Sequence, residues 1–416
     1  MKKEIRDNQA IYENPLNFDQ VYRRLVPTSP ERHFLDPAYG SNVVLPTAGP
    51  ARGTYEAIHA ARTLEDGTVV ITFYAPDAKR VEVAGIGGSM QGRYDLEKWE
   101  DGYWKAEIKD IRSGFHYCVF IVDGVLTFNP TMPFGFGNSY VMNYFEVPEE
   151  DDFFLLKDVP HGCVRMEVMK SEMCSRYRNL YVYTPKDYDR TDRRYPVLYI
   201  LHGGGENEIG WFWEGKLNYI ADNLIASGEM EEMLIVVTSF TAPKEVGDNL
   251  FENVSFPEVI SKEIVPFIDE NYRTIADRRS RCIAGLSAGG GTSRQIISLH
   301  PEVFANLGQF SSGGGFPVAG ITTAEAPAGF GPPGGVSPMD KVYAELFSSP
   351  EEYNERFDLT FITCGTDDRR HDFTSVQVSE LREKGYNVEY SCYPGYHEWD
   401  VWRYSARDLM KRLFKK

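Results

Sequence analysis

The sequence predicts an α/β protein with a mainly parallel central sheet, preceded by a small β-sandwich. From residue 160 to residue 416, apolar strand-like runs alternate with helical segments, as is typical of a parallel sheet covered by helices on both faces. Between residues 53 and 147, short β-branched and aromatic runs are separated by Asp-Gly turns, and this spacing indicates a sandwich. Two or three domains also suit a chain of 416 residues.

The sandwich is predicted from runs rich in Val, Ile, Thr, Phe and Tyr. These runs are Thr68–Tyr74, Val81–Ala84, Tyr103–Ile108, Phe115–Val122 and Val125–Phe128. Residues 1–52 contain several prolines and little periodicity, so they are predicted to form an extended N-terminal arm. Residues 148–159 are acidic and bounded by proline, and are interpreted as a linker to the second domain.

The second domain, residues 160–416, is predicted from alternating strands and helices. Its strands are Leu180–Thr184, Tyr195–Leu201, Met233–Thr238, Arg281–Gly285, Phe304–Phe310, Leu359–Cys364 and Val388–Tyr393. Its helices are Leu217–Ser227, Val259–Tyr272, Gly289–His300, Ser375–Lys384 and Trp399–Leu413. Residues 313–340 break the alternation because they are rich in Gly and Pro. A lid over the active site, a flexible insertion and an oligomer contact are the three interpretations of this loop.

The composition argues against several classes of partner. A formal net charge of −17 gives no general attraction to nucleic acid or to an anionic membrane, and it mildly favours a neutral substrate. The six cysteines form no CxxC pair, so neither a metal site nor a disulfide framework is predicted, and no cofactor is implied. No apolar run is long enough to span a bilayer. The two N-terminal lysines precede no apolar stretch, so a cytoplasmic location is expected unless a signal peptide has been removed.

One short motif carries the chemistry. Gly285-Leu-Ser287-Ala-Gly289 matches G-x-S-x-G, in which a serine lies on a sharp turn between a strand and a helix. Small flanking residues are needed because the strand, the helix and the substrate crowd this turn. The predicted strand before Ser287 and the predicted helix after it supply the context that the motif requires. Ser287 is therefore the candidate nucleophile.

A serine hydroxyl needs a base and an orienting acid. In chains with the G-x-S-x-G motif, the acid follows the serine in the sequence and the histidine follows the acid. His397 follows the last predicted strand and is the candidate base, whereas His300 at a helix end is predicted to lie too far from Ser287. Asp368 follows the strand Leu359–Cys364 and is the favoured acid. Asp367 remains the alternative acid, and would otherwise cap the next helix or bind backbone amides.

The transition state needs two backbone amides that donate to the developing oxyanion. Ala288, directly after the nucleophile, is one candidate. The other is expected in the His202–Glu206 loop, where Gly204 is favoured and Gly203 and Gly205 are alternatives. His202 is predicted to be structural, bonding loop backbone, rather than catalytic. Three aromatic residues near these loops are candidates for the pocket wall, with core packing as the alternative: Trp211, Phe212 and Trp399.

Taken together, several motifs resemble those of the feruloyl and acetyl-xylan esterases of carbohydrate esterase family one, within the esterase D-like set of α/β hydrolases. They are Arg194–Gly205, Gly210-Trp211, Ala284–Gly290, Cys364–Asp368 and Pro394–Trp399. The resemblance covers about residues 160–416 and implies an α/β-hydrolase fold with a Ser287, His397 and Asp368 triad. Two features depart from the pattern: Ala288 stands where many relatives have Met, and 313–340 is an insertion.

The N-terminal part resembles the immunoglobulin-like early-set domain, related to glycogen-binding modules, that often precedes these esterases. For Trp99 and Trp104 a core or interdomain role is favoured, with a sugar-stacking platform as the alternative. The resemblance implies release of ferulate or a related hydroxycinnamate from plant-derived oligosaccharides. Acetyl-ester hydrolysis on xylo-oligosaccharides, catecholate siderophore hydrolysis and non-catalytic carbohydrate binding are the alternatives. The resemblance is also compatible with a homodimer.

Overall fold

The computed structural model describes residues 61–241, 256–312, 342, 345, 346 and 348–415. Within these ranges, residues 87, 89, 100, 101, 130, 131 and 138 are not described. The predicted arm over 1–52 and the predicted loop over 313–340 therefore lie outside the described residues. The chain divides into two compact units, and the boundary between them lies between Asp152 and Phe153.

The N-terminal unit consists of two antiparallel sheets. Its strands are β1 Ala61–Thr63, β2 Val69–Tyr74, β3 Val81–Ile86, β4 Gly92–Asp95, β5 Glu97–Lys98, β6 Tyr103–Ile108, β7 Gly114–Val122, β8 Val125–Thr127, β9 Phe134–Gly137 and β10 Tyr140–Val147. One sheet has the order β1-β2-β6-β5, and the other has the order β4-β3-β7-β10-β9 with β8 paired to β7. Both sheets contribute to one apolar core, with Ile71 and Trp104 from the first and Val83 and Phe120 from the second.

The C-terminal unit is built on one eight-stranded sheet. Its strands are β11 Cys163–Ser171, β12 Arg176–Thr184, β13 Val197–Leu201, β14 Leu234–Thr238, β15 Arg281–Leu286, β16 Asn306–Phe310, β17 Leu359–Gly365 and β18 Glu389–Tyr393. They are arranged in the order β11-β12-β14-β13-β15-β16-β17-β18. The pairs β11/β12 and β12/β14 are antiparallel, and every later pair is parallel. Strands β13, β14, β15 and β16 are buried along their whole length, which explains the continuous apolar runs of β13 and of residues 234–237 in β14.

Helices connect these strands. Those of eight or more residues are Leu217–Ala226, Ala288–Leu299, His371–Glu383 and Trp399–Met410, and are named α1, α2, α3 and α4 in that order. Shorter segments are Gly210–Trp213, Phe256–Val259, Val265–Asn271 and Pro350–Arg356, with 3-10 turns at Tyr188–Arg190 and Arg278–Ser280 and a π-helical turn at Ile260–Ile264. Within the described parts of the chain, no helix is both long and apolar enough to cross a bilayer.

The sequence missed some elements for identifiable reasons. Strand β11 carries charged residues along its length and is held by register pairing with all nine residues of β12, so its stability depends on a partner strand. Strand β10 also lacks clear alternation and pairs with β7 and β9. Helix α3 begins at His371, one turn earlier than the predicted start at Ser375.

Candidate active site

Parallel strands place the predicted site residues at one edge of the sheet. Ser287 follows β15, the His202–Glu206 loop follows β13, Asp368 follows β17 and His397 follows β18. These four strands run parallel through β16, so their carboxyl ends lie along the same edge. In open α/β sheets, ligands bind in the crevice outside the carboxyl ends of the strands, where the connecting loops supply the binding residues.

Ser287 lies on a strained turn between β15 and α2. Its φ of 51° and ψ of −119° are a backbone conformation that residues with a side chain rarely adopt. The turn is held by the Ser287 amide, which donates to the Phe310 carbonyl at 2.8 Å, and by the Gly290 amide, which donates to the Ser287 carbonyl at 3.1 Å. The sharp turn directs the hydroxyl away from the sheet and toward the loop that carries His397.

The glycines of the motif are required by close approach. A Cβ atom on Gly285 would lie 2.5 Å from the Gly289 carbonyl carbon, and one on Gly289 would lie 2.2 Å from the His202 carbonyl oxygen. No side chain fits at either distance without displacing backbone. In contrast, a Cβ atom on Gly291 would meet nothing within 4 Å. The first and last glycines of G-x-S-x-G are therefore steric requirements of the turn.

His397 joins the serine to an acid. Its Nε2 atom lies 2.9 Å from Ser287 Oγ, and its Nδ1 atom lies 2.7 Å from Asp368 Oδ2. A carboxylate only accepts hydrogen bonds, so the neutral ring carries its proton on Nδ1 and leaves Nε2 to accept from the serine hydroxyl. The ring also packs edge-on against Trp402, with centroids 5.1 Å apart. Burial lowers the pKa of His397, and it outweighs the opposing effect of Asp368.

Asp368, rather than Asp367, faces the histidine. The Asp368 side chain is 1% exposed, whereas Asp367 is exposed and its amide donates to the Gly395 carbonyl. Burial raises the pKa of Asp368, but the hydrogen bond from His397 and the charge of Arg370 outweigh it and lower the pKa to about 2. The carboxylate is thus ionised at any ordinary pH. Arg370, and not Asp367, precedes α3, so Asp367 does not cap this helix, and the alternative that its side chain binds backbone amides stays a prediction.

Arg370 is a buried residue that contacts both Asp368 and His397, and the sequence did not indicate it. Its amide and its Nη1 atom both donate to Asp368 Oδ1 at 3.0 Å, and Nη1 lies 3.3 Å from His397 Nδ1. The side chain is 6% exposed. The only sequence signal is a basic residue two positions after the acid, and such pairs are too common in loops to indicate a contact.

The loop after β13 lies against the serine. A Cβ atom on Gly203 would lie 3.5 Å from Ser287 Cβ, and the Gly203 amide donates to Glu206 Oε2 at 2.8 Å. The amide of this glycine is therefore already engaged, which leaves Gly204 and Gly205 as the alternatives for an oxyanion donor. Ala288 begins α2, and amides in the first turn of a helix have no acceptor within the helix. Burial raises the pKa of Glu206 to about 8.

The remaining histidines near these motifs bind protein groups. His202 is buried, and its Nδ1 atom lies 2.7 Å from the Gly203 carbonyl, as expected for a residue that orders the loop. Burial lowers the pKa of His202 to about 4. His300 contacts Glu258 and Glu302 at the end of α2.

The three predicted pocket residues do not line a pocket in this structure. Trp211, Phe212 and Trp399 are 0%, 1% and 1% exposed. The rings of Trp211 and Trp399 pack edge to face with centroids 5.3 Å apart, and Trp211 Nε1 donates to the Leu201 carbonyl at 2.9 Å. A ring with no accessible surface cannot contact a ligand, so the expectation of a pocket wall is corrected to core packing beneath the site loops.

The favoured core role is confirmed for Trp104 of the N-terminal unit. Trp104 is 6% exposed and belongs to the core, with Nε1 donating to the Ala75 carbonyl at 2.8 Å. Trp99 is 50% exposed, and Lys105 Nζ lies over its ring at 4.6 Å. The two indoles therefore do not present a shared face. Across the described residues, no cluster of His, Cys, Asp and Glu has the geometry of a metal site.

Comparison with known proteins places this geometry in a family. Residues 171–411 match the esterase family, whose description is "Putative esterase". The chain belongs to the esterase family. The match begins at the end of β11 and extends through α4, so it includes all four segments that form the site.

Relatives and solved structures are consistent with this membership. The chain is 31% identical over 353 residues to an endo-1,4-beta-xylanase/feruloyl esterase of Xylanibacter ruminicola, a match that covers 82% of this chain and 44% of the relative. The chain thus spans less than half the length of that relative. A CE1 ferulic acid esterase from Anaeromyces mucronatus, solved with ferulic acid, superposes with a TM-score of 0.52 at 21% identity, covering 65% of this chain and 98% of the other.

A second solved structure extends the similarity in fold. The enterobactin esterase of Shigella flexneri superposes with a TM-score of 0.59 at 14% identity, covering 84% of this chain and 94% of the other. At such identities the similarity shows the fold alone. The C-terminal unit therefore has an α/β-hydrolase fold.

Proposed function

We propose that the chain hydrolyses carboxylic esters through an acyl-enzyme on Ser287. The observation that carries this proposal is the continuous contact from Asp368 through His397 to Ser287, with distances of 2.7 and 2.9 Å. A base within hydrogen-bonding distance of a hydroxyl, itself oriented by an ionised acid, is the arrangement that activates a serine. Membership of the esterase family supports the same chemistry.

The reaction follows from this geometry. As Ser287 Oγ attacks the ester carbonyl carbon, its proton passes to His397 Nε2, and the carbonyl oxygen becomes an oxyanion held by the amides of Ala288 and Gly204. The tetrahedral intermediate then expels the alcohol, which receives the proton from the imidazolium. Water attacks the acyl-enzyme and gives a proton to the same nitrogen, and collapse releases the carboxylic acid and restores the serine hydroxyl.

For the substrate, we propose esters of ferulate or a related hydroxycinnamate on plant-derived oligosaccharides. Support comes from the relative named as a xylanase/feruloyl esterase, which is 31% identical across both units of this chain. Acetyl esters of xylo-oligosaccharides are the alternative. The N-terminal unit, with two antiparallel sheets around one core, is proposed to be an immunoglobulin-like sandwich. The cytoplasmic location and the homodimer stay predictions.

The mechanism is tested by Ser287→Ala. Removing the nucleophile of a serine triad is expected to lower kcat by roughly a millionfold while the protein stays folded. Ser298→Ala is a matched control, because Ser298 lies on the same helix and its hydroxyl only donates to the Arg294 carbonyl. Activity on p-nitrophenyl acetate is measured for both variants. If the Ser287 variant keeps more than a small part of the wild-type rate, the assignment of the nucleophile is wrong.

The acyl group is tested by parallel assays of methyl ferulate and p-nitrophenyl acetate. A feruloyl esterase is expected to turn over methyl ferulate, because the ring of this acyl group supplies binding energy that an acetyl group cannot. Turnover of the acetyl ester alone would contradict the feruloyl proposal and favour the alternative. Enterobactin is included as a third substrate, and its preferential hydrolysis would assign the siderophore ester instead.

A further inference from the structure

The guanidinium of Arg370 shares one carboxylate with the proposed base. Asp368 uses its two oxygens separately: Oδ2 accepts from His397, and Oδ1 accepts from both the amide and the Nη1 atom of Arg370. The Asp368 and Arg370 side chains are 1% and 6% exposed. Burying both charges is costly unless they are paired, so the ion pair fixes the position of the carboxylate. Its second oxygen is then held in place for the histidine.

The same guanidinium also lies beside the histidine. Arg370 Nη1 is 3.3 Å from His397 Nδ1, and each atom also lies within hydrogen-bonding distance of one oxygen of the Asp368 carboxylate. When the ring accepts the serine proton it becomes a cation next to a second cation. Asp368 favours that charge, and Arg370 opposes it. The basicity of the histidine therefore depends on a balance between two buried neighbours.

Other groups around the ring contribute less to this balance. In the described structure, Arg369 is a further cation that lowers the pKa of His397, but it is exposed to solvent, which screens its charge. Ser287 from the turn after β15 and Trp402 from α4 contact the ring and carry no charge. Glu398, the next residue along the chain, accepts from the Tyr396 amide.

We propose that Arg370 is a positioning residue that holds Asp368 in place and extends the activity of the enzyme to lower pH by opposing protonation of His397. The proposal rests on the proposed ester hydrolysis, because it assigns a role around the same base. It goes beyond the triad, since the reaction steps themselves do not require an arginine. A neutral residue at this position is expected to keep the triad in contact but to change the pH at which it works.

The test compares the pH dependence of kcat/KM on p-nitrophenyl acetate for Arg370→Gln, Arg370→Lys and wild type. Glutamine removes the charge and keeps a donor for Asp368, so the acidic limb of the profile is expected to move to higher pH. The loss at the pH optimum is expected to be roughly ten- to hundredfold, the range for one hydrogen bond to a charged group. Lysine keeps the charge, so its acidic limb is expected to stay close to that of wild type.

Arg369→Gln is the matched control, because it removes a neighbouring but exposed cation and is expected to move the limb much less. An Arg370→Gln profile that is lowered equally at every pH, with the limb unmoved, would overturn the proposal and leave only a structural role. A wild type that hydrolyses no ester, or a Ser287→Ala variant that remains active, would instead refute the proposed function. In that case NMR titration of the His397 ring in wild type and Arg370→Gln still decides whether the charge opposes protonation.

Discussion

Replacing Asp368 by Asn tests the central hydrogen-bond chain most directly. The carboxylate accepts three donors, from His397 Nδ1 on one oxygen and from the Arg370 amide and Nη1 on the other. An asparagine has one accepting oxygen and one donating nitrogen. The two Arg370 donors will take the oxygen, so the NH₂ group turns to the histidine.

This substitution switches the tautomer of the His397 ring. A donor facing Nδ1 requires Nδ1 to accept, so the ring proton moves to Nε2, 2.9 Å from Ser287 Oγ. A protonated Nε2 cannot accept the serine proton, and the imidazolium also loses its anionic partner. Loss of the working tautomer in a serine triad costs about 10⁴-fold in kcat. At about 1.4 kcal/mol for each factor of ten, this is about 5 kcal/mol of transition-state stabilisation.

The assay is steady-state hydrolysis of p-nitrophenyl acetate by Asp368→Asn and by Asp367→Asn. The second variant is a close control, because it makes the same chemical change one residue away at an exposed side chain. It is expected to retain at least a third of the wild-type kcat, whereas KM is expected to change little in either variant. Comparable losses in the two variants, or a loss of less than about a hundredfold in Asp368→Asn, would refute the reasoning about the tautomer.

Three further predictions concern the turn, the loop and the pH profile. Gly289→Ala is expected to destabilise the protein by on the order of 1–3 kcal/mol, because its methyl group would lie 2.2 Å from the His202 carbonyl oxygen. Gly291→Ala, in open space on the same helix, is expected to stabilise it by about 0.5–1 kcal/mol, and equal effects in thermal unfolding would contradict both. The folded-state pKa of Glu206 is about 8, above its ordinary value of 4.5, so the wild type loses stability as the pH rises between these values. Glu206→Gln removes this loss, and its Tm advantage is expected to grow across that range rather than stay constant. Burial lowers the pKa of His397, so the acidic limb of kcat/KM is expected to have its midpoint below the ordinary imidazole value of about 6.5, and a midpoint above it would be inconsistent.

Part of the site could be predicted because it depends on neighbouring residues. The turn at Ser287 needs small residues on both sides, and the five consecutive residues 285–289 show this requirement directly in the sequence. Strands β13, β15 and β17 are buried on both faces, so their apolar runs are visible in the sequence. The order of these strands along the chain then limits where an acid and a base can follow.

Other features of the site depend on residues that are distant in the chain. Ser287 and His397 are 110 positions apart, and His397 and Asp368 are 29 apart. The choice of Asp368 over Asp367 depends on which side chain turns inward, and both are carboxylates in the same loop. Likewise, Trp211 could have faced solvent or core, and only the packing of Trp399 against it decides.

By itself, the sequence determined the α/β alternation, the strained serine turn and the loops from which a base and an acid would come. These follow from local backbone preference and from the burial of each strand, which the chain encodes residue by residue. Only the tertiary structure decided that Arg370 shares the carboxylate with His397, that the Gly203 amide is already engaged and that the aromatic residues pack inside. Those contacts depend on the spacing of parallel strands and on the packing of buried side chains against one another. Both bring together residues from different segments of the chain, so no single segment encodes them.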